Sequence, residues 1–190
     1  MASVRPADHI GASPISRRDL LVGMAAGSLL LSPVGSLYAR PVNRSLSFWH
    51  THTGESLTVN YWCDGRFQTQ CRPSLNHFLR DFRTGDEMAM DVGLLDILYR
   101  LQALADREST FEVISGYRSP QTNAMLNKKS SGVAKHSLHM EGRAIDVRLT
   151  GFSTKKLQKL ALAHQQGGVG FYAQSDFVHL DTGRVRSWVG

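Results

Sequence analysis

The chain has 190 residues, 42% of them hydrophobic and 20% charged, ordinary proportions that exclude both a disordered polypeptide and a membrane bundle. A formal net charge of +6 and an isoelectric point near 9.6 favour an acidic partner, which could be nucleic acid, anionic lipid or an anionic wall polymer. The length suits one domain with a substantial core once any targeting segment is set aside.

Residues 1–39 read as such a segment. Arg17 and Arg18 precede an apolar run, Leu20 to Leu31, and small or turn-forming residues continue to Ala39. The run is too short for a bilayer, which takes about 20 residues, so no stable membrane span is expected. Basic, short apolar and small residues in that order make an export signal, and Ser16-Arg17-Arg18-Asp19-Leu20-Leu21 resembles the twin-arginine pattern. The bland alternative is a buried helix after a disordered tail, against which the lack of helix caps counts. Cleavage is expected after Ala39, although Leu37 is larger than the residue normally wanted three places earlier; an uncleaved anchor stays open. The chain is therefore expected to use the twin-arginine export machinery and to place a folded domain, 40–190, in the periplasm. Arg5, Arg17 and Arg18 against Asp8 and Asp19 give the leader a net +1, so a charge near +5 belongs to the domain. Chromosomal DNA is not met there and no basic-aromatic motif occurs, so nucleic acid is set aside. Peptidoglycan, with its free carboxylates, becomes the natural acidic partner. Cys63 and Cys71 would meet an oxidising compartment, where a disulfide is allowed.

Further along, "LSFWHTH" and "LTVNYW" flank the turn "TGES" and read as a hairpin, followed by a second turn at "CDGRF". In "SLNHFLRDF", Leu75, Phe78, Leu79 and Phe82 recur at helical spacing behind a Ser74 cap. A second helix follows Asp91, with Leu94, Leu95, Leu98, Leu101 and Leu104 on one stripe. "FEVIS", Phe111 to Ser115, reads as a strand. Ser119 and Pro120 suit the cap and first turn of a helix to about Lys129, with Gly132 near its end. The loop "GVAKHSLHMEG" leads into a strand, "RAIDVRL", and Ser153 can cap a helix that Gly167 stops. "GVGFYA" and "FVHLD" close the domain as strands. The class is α+β: a small antiparallel sheet with helices packed on one side.

Alternation places Ile145, Val147 and Leu149 on the core face of "RAIDVRL" and Asp146 on the other. In "FVHLD" it sets Val178 and Leu180 inward and Phe177, His179 and Asp181 opposite. If these strands are neighbours, Asp146 meets His179, and His139 can swing over from its loop, which Gly142 lets fold close. Two imidazoles and a carboxylate are a common catalytic zinc set, with a fourth position left for water, whose pKa the metal lowers to about 7.

"SLHMEGRAID" fits the pattern S-x-H-x-x-G-x-A-x-D, and "FVHLD" the third-ligand segment, of the VanX and VanY type D-Ala-D-Ala zinc metallopeptidases. "HTGES", "LNHFLRDFR", "SGYRS", "GGVGFY" and "FVHLDTG" resemble more particularly the murein endopeptidases. The resemblance covers nearly all of the chain after the leader. It implies a small fold of the hedgehog and D-Ala-D-Ala-peptidase kind, with His139, Asp146 and His179 as zinc ligands. Arg118 falls on the arginine that holds a substrate carboxylate or polarises the scissile carbonyl. Asp176, three places before the last histidine, falls where relatives carry a general base. Asp181 is its rival, although orienting a ligand suits it better.

The implied activity is hydrolysis of amides in peptidoglycan cross-links. The alternatives are a carboxypeptidase that trims terminal D-Ala, and a wall-binding module that keeps the zinc site without turnover. His136 reads as a pocket-lining or surface residue, Glu141 as solvated, and Lys128, Lys129 and Lys135 as a surface cluster able to contact anionic polymer. His50, His52, His77 and His164 are expected to be structural.

Overall fold

The computed structural model describes residues 43–106, 108–129 and 133–190. The export-signal reading of residues 1–39 and the helix stop at Gly132 lie outside them. β1 (Arg44–His50) and β2 (Ser56–Cys63) form the expected antiparallel hairpin, with Leu46 opposite Val59 and Phe48 opposite Leu57. Asp64 and Gly65, with φ of 50° and 75°, make the two-residue turn into β3 (Arg66–Phe67), since only a left-handed pair matches the strands' own twist.

The first two helices form where apolar spacing places them, but their ends differ. α1 runs Arg72–Phe78 behind Cys71, whose side chain makes no capping bond, with Pro73 in its first turn, where a missing N–H costs nothing. It therefore begins before Ser74 and stops before Phe82. α2 (Val92–Leu104) is capped by Asp91, whose side chain accepts from the Gly93 N–H at 2.9 Å. Leu94, Leu95, Leu98 and Leu101 are buried as expected and Leu104 is 54% exposed. Each buried leucine contributes up to about 2 kcal/mol.

β4 (Phe111–Ser115), α3 (Pro120–Lys129) and β5 (Ala144–Leu149) occupy the expected segments. Ser119 Oγ accepts from the Thr122 N–H at 3.2 Å, as a helix cap should. α4 (Thr154–His164) ends not at Gly167 but at Gln165, which takes the left-handed conformation itself. Gly167 is needed for another reason: a Cβ there would lie 1.6 Å from the Asp181 carbonyl oxygen. β6 (Gly168–Tyr172), β7 (Phe177–Asp181) and β8 (Arg186–Val189) complete the chain.

The class is α+β, as expected, but the sheet is larger and less uniform than a small antiparallel one. Among the described residues eight strands lie in the order β3-β2-β1-β4-β5-β7-β6-β8. β1 pairs with β4 and β6 with β8 in parallel, and the other pairs are antiparallel. The first parallel pair arises because α1 and α2 carry the chain back between β1 and β4, the kind of crossover that parallel neighbours require. β8 escapes notice because "RSWV" carries no apolar alternation. One face of the sheet, through Leu46, Phe48, Phe111, Val113, Ile145, Val147, Val178 and Leu180, forms a single core with side chains of α1, α2 and α4. α3 adds nothing to that core. Among the described residues no helix is long and apolar enough to cross a membrane.

Candidate metal centre and its cavity

On the opposite face, strand register assembles a row. Ser115 pairs with Asp146, Asp146 with His179, His179 with Gly170 and Gly170 with Trp188. The Ser115–Asp146 pairing follows a register shift between Val113 and Ser115, an irregularity that re-aims a strand beside a site. His139 joins from a 3-10 turn, Leu138–Glu141, whose start is held by Ser137 and whose end is Gly142 at φ 67°. A Cβ on Gly142 would meet the Ala89 carbonyl oxygen at 2.4 Å, so the expected need for glycine in this loop is a need for close approach as well as for the turn.

The three side chains converge. His139 Nε2 lies 3.2 Å from Asp146 Oδ1 and 3.1 Å from His179 Nδ1, and His179 Nδ1 lies 2.9 Å from Asp146 Oδ1. All three are buried. The far nitrogen of each ring fixes its tautomer. His139 Nδ1–H donates to the Gly116 carbonyl at 2.7 Å, and His179 Nε2–H to Asp181 Oδ2 at 3.0 Å. Each ring thus turns its other nitrogen toward the Asp146 carboxylate. Three ligand atoms this close together could hold a metal ion; two imidazoles and a carboxylate fit zinc.

The electrostatics treat the two rings differently. Burial pushes the His139 pKa down, more than Asp146 raises it, so the ring stays neutral as a ligand must. Burial would raise the Asp146 pKa, but His139 and His179 hold it well below the usual carboxylate range. His179 goes the other way: burial works against a proton, but hydrogen bonds to Asp146 and Asp181 overcome it and raise the pKa, so a metal ion bound there would displace a proton from this ring. Asp181 is fully buried and its pKa is depressed: burial opposes the charge, and His179, Arg186 and the Gly183 and Gly168 N–H groups outweigh it. Arg186 grips both Asp181 oxygens, at 3.0 and 2.7 Å.

A cavity of about 340 Å³ opens over this cluster, with Arg118, His136, Tyr172, Phe177 and Trp188 in its walls. Arg118 is largely buried, reaches Asp146 Oδ2 only at 3.5 Å, and leaves its Nε without a partner. Its backbone N–H donates to the His139 carbonyl at 3.1 Å. Below it, Asp81 accepts from the Ser119 N–H and hydroxyl at 2.9 and 2.7 Å. Burial alone would raise the Asp81 pKa, yet hydrogen bonds from Thr122, Ser119 and Arg83 hold it down. A buried charged group therefore pins the turn that aims the guanidinium.

Residues 39–188 match the model of the Peptidase_M15_2 family, described as peptidoglycan L,D-endopeptidase MepK. The chain belongs to this family. It is 42% identical to the peptidoglycan L,D-endopeptidase MepK of Escherichia coli K12 over 177 residues, covering 91% of this chain and 97% of that protein. The protein of the same name from Shigella flexneri is equally similar. It is 40% identical to the probable peptidoglycan L,D-endopeptidase MepK of Haemophilus influenzae over 172 residues, 90% of this chain and 92% of that one. The resemblance to VanX-type peptidases read from the motifs is borne out by this Peptidase_M15_2 membership.

Within this family scaffold the structure brings His139, Asp146, His179 and Arg118 together. It does not bring Asp176. That carboxylate is exposed, accepts from Thr154 Oγ1, pairs with Arg148 at 3.7 Å and lines a separate surface hollow with Glu112 and Phe152. Asp181 turns to His179 and is saturated by its five donors. Glu141 pairs with Arg143 at the surface. Cys63 and Cys71 are unbridged. Sequence reading passed over Asp81, Tyr172, Arg186 and Trp188. Tyr172 alone had a visible signal, since Gly168, Gly170 and Tyr172 alternate onto the ligand face.

Proposed function

We propose that this chain is a zinc-dependent peptidoglycan endopeptidase that cuts an L,D-amide in the peptide cross-links, with His139, Asp146 and His179 holding the metal. The observation that carries the reading is the convergence of three buried ligand atoms beneath an open cavity with the Arg118 guanidinium in its wall. Family membership and the names of the relatives support the substrate. Bound zinc would supply an acidified water and a Lewis acid at neutral pH.

The protein's own groups set the rest of the chemistry. Gly116 and Asp181 hold the two imidazoles in the ligating tautomers. Arg118, held to Asp146 through Nη2 at 3.5 Å, would present the remaining terminal N–H groups of its planar guanidinium to the carbonyl oxygen as charge grows on it. Residues 1–39 act as a twin-arginine-type export signal and place the domain in the periplasm, where its substrate lies.

One observation favours a second reading. Asp146 is the sole carboxylate among the described residues lining the cavity, so the site lacks an evident general base, as a wall-binding module that kept its metal would. Chromatography of cross-linked muropeptides digested by the purified protein, with and without chelator, decides the matter. Cleavage of the cross-link that chelator stops and zinc restores is the expected result. Binding without cleavage would establish the module instead, and release of free D-alanine from intact cross-links would mark a carboxypeptidase.

A further inference from the structure

We propose that the Tyr172 hydroxyl is a catalytic hydrogen-bond donor, binding the substrate oxygen that gains negative charge when the amide carbon is attacked. The assignment rests on the hydrolase reading above and adds to it a residue outside the expected set.

Donors that stabilise such an oxygen act best when they are fixed before the reaction. Of the polar groups around the cavity, Arg186 is committed to Asp181. Ser137 caps the turn that carries His139, and His136 stands exposed at the rim. Tyr172 is clamped. Its ring stacks on Phe177, its cross-strand partner, with centroids 4.5 Å apart and planes 18° from parallel. The backbone of Gly190 lies against its edge, where a Cβ would come within 2.3 Å of the ring.

The oxygen is held as firmly as the ring. The Trp188 indole N–H donates to Tyr172 Oη at 3.1 Å. That bond occupies a lone pair and leaves the phenol's own proton free, since no described residue accepts it. A hydroxyl that accepts one hydrogen bond also donates the next more strongly. The indole is in turn fixed by Gly170 opposite it, where a Cβ would come 2.6 Å from the ring. It lies 5.1 Å from the His179 imidazole between ring centroids. One indole therefore links the phenol to a metal-binding histidine, and Tyr172 lines the same cavity as Arg118.

The test compares the full chain, zinc-loaded, with Tyr172→Phe and Trp188→Phe on a cross-linked muropeptide dimer. Tyr172→Phe keeps the stack on Phe177 and removes only the hydroxyl. Its kcat is expected to fall by about 100-fold or more, with KM within roughly twofold and with zinc stoichiometry and Tm unchanged. Trp188→Phe should fall less far, because the hydroxyl survives without its indole donor. An unchanged kcat in Tyr172→Phe, a change confined to KM, or a loss that tracks lost zinc would each overturn the assignment. Chelator-sensitive cleavage by the unsubstituted chain beside a fully active Tyr172→Phe would sink this inference alone. An unsubstituted chain that never cleaves would sink the hydrolase reading and this assignment with it.

Discussion

His50 and His139 are both buried imidazoles with a second histidine close by, yet only one of the two pairs surrounds a carboxylate. The rings of His50 and His52 are 6.0 Å apart and those of His139 and His179 are 5.0 Å apart. His50 Nδ1 accepts from the His52 backbone N–H at 3.2 Å, and its Nε2 has no partner. Its ring meets Phe78 and Phe82 edge-on at 5.9 and 5.6 Å, and His52 stacks on Phe82 at 4.2 Å. Without a carboxylate, burial makes histidine an aromatic filler. With Asp146 in register and an acceptor behind each ring, the same side chain is placed where it could hold a metal ion.

The largest test of that contrast removes the carboxylate. Asp146→Ala should abolish both zinc stoichiometry and cross-link cleavage, read by metal analysis and muropeptide chromatography, while His50→Gln keeps both. An Asp146→Ala protein that still binds one zinc and turns over would show that the convergence has no chemical meaning. A smaller effect is expected from Asp181→Asn, which leaves His179 a neutral acceptor in place of a carboxylate. Support of this kind around a metal is worth about 10- to 100-fold in affinity. Competition with a fluorescent chelator measures it, and an unchanged affinity would reduce Asp181 to a fold residue.

How much of this was readable beforehand depends on what each feature rests on. Asp146 and His179 follow from strand alternation, a local rule, and their pairing needed only that β5 and β7 be neighbours. The core leucines of α2 follow from helical spacing in the same way. Asp176 lies apart from the cluster because position three before His179 is a motif slot and not a geometric constraint; at φ 50° its backbone leaves the strand pattern, and its side chain meets Arg148 and Thr154. Asp81 and Arg186 act across 38 and 5 residues of chain, on Ser119 and Asp181 respectively. No periodicity marks such a partner. The parallel place of β8 beside β6 was likewise hidden, since its residues are chosen by the cavity it lines and not by a core.

The smallest expected effect concerns His50 and acid. Burial, aided by His52 and Arg80 and opposed by Glu55, lowers its pKa from 6.5 to about 4. Between those values the unfolded chain takes up a proton that the folded chain refuses. Stability therefore falls as pH drops below the unfolded pKa, and the loss is complete below about 4. At about 1.4 kcal/mol per pKa unit, the full penalty is at most about 3 to 4 kcal/mol. Urea unfolding of the unsubstituted chain and of His50→Gln from pH 7 to pH 4 isolates it by difference, because the other titrating groups are common to both. The two curves should converge toward acid, the glutamine variant losing less. Parallel curves would mean that the His50 ring finds water or a partner when protonated, and that its pocket differs less from the Asp146 site than its contacts imply.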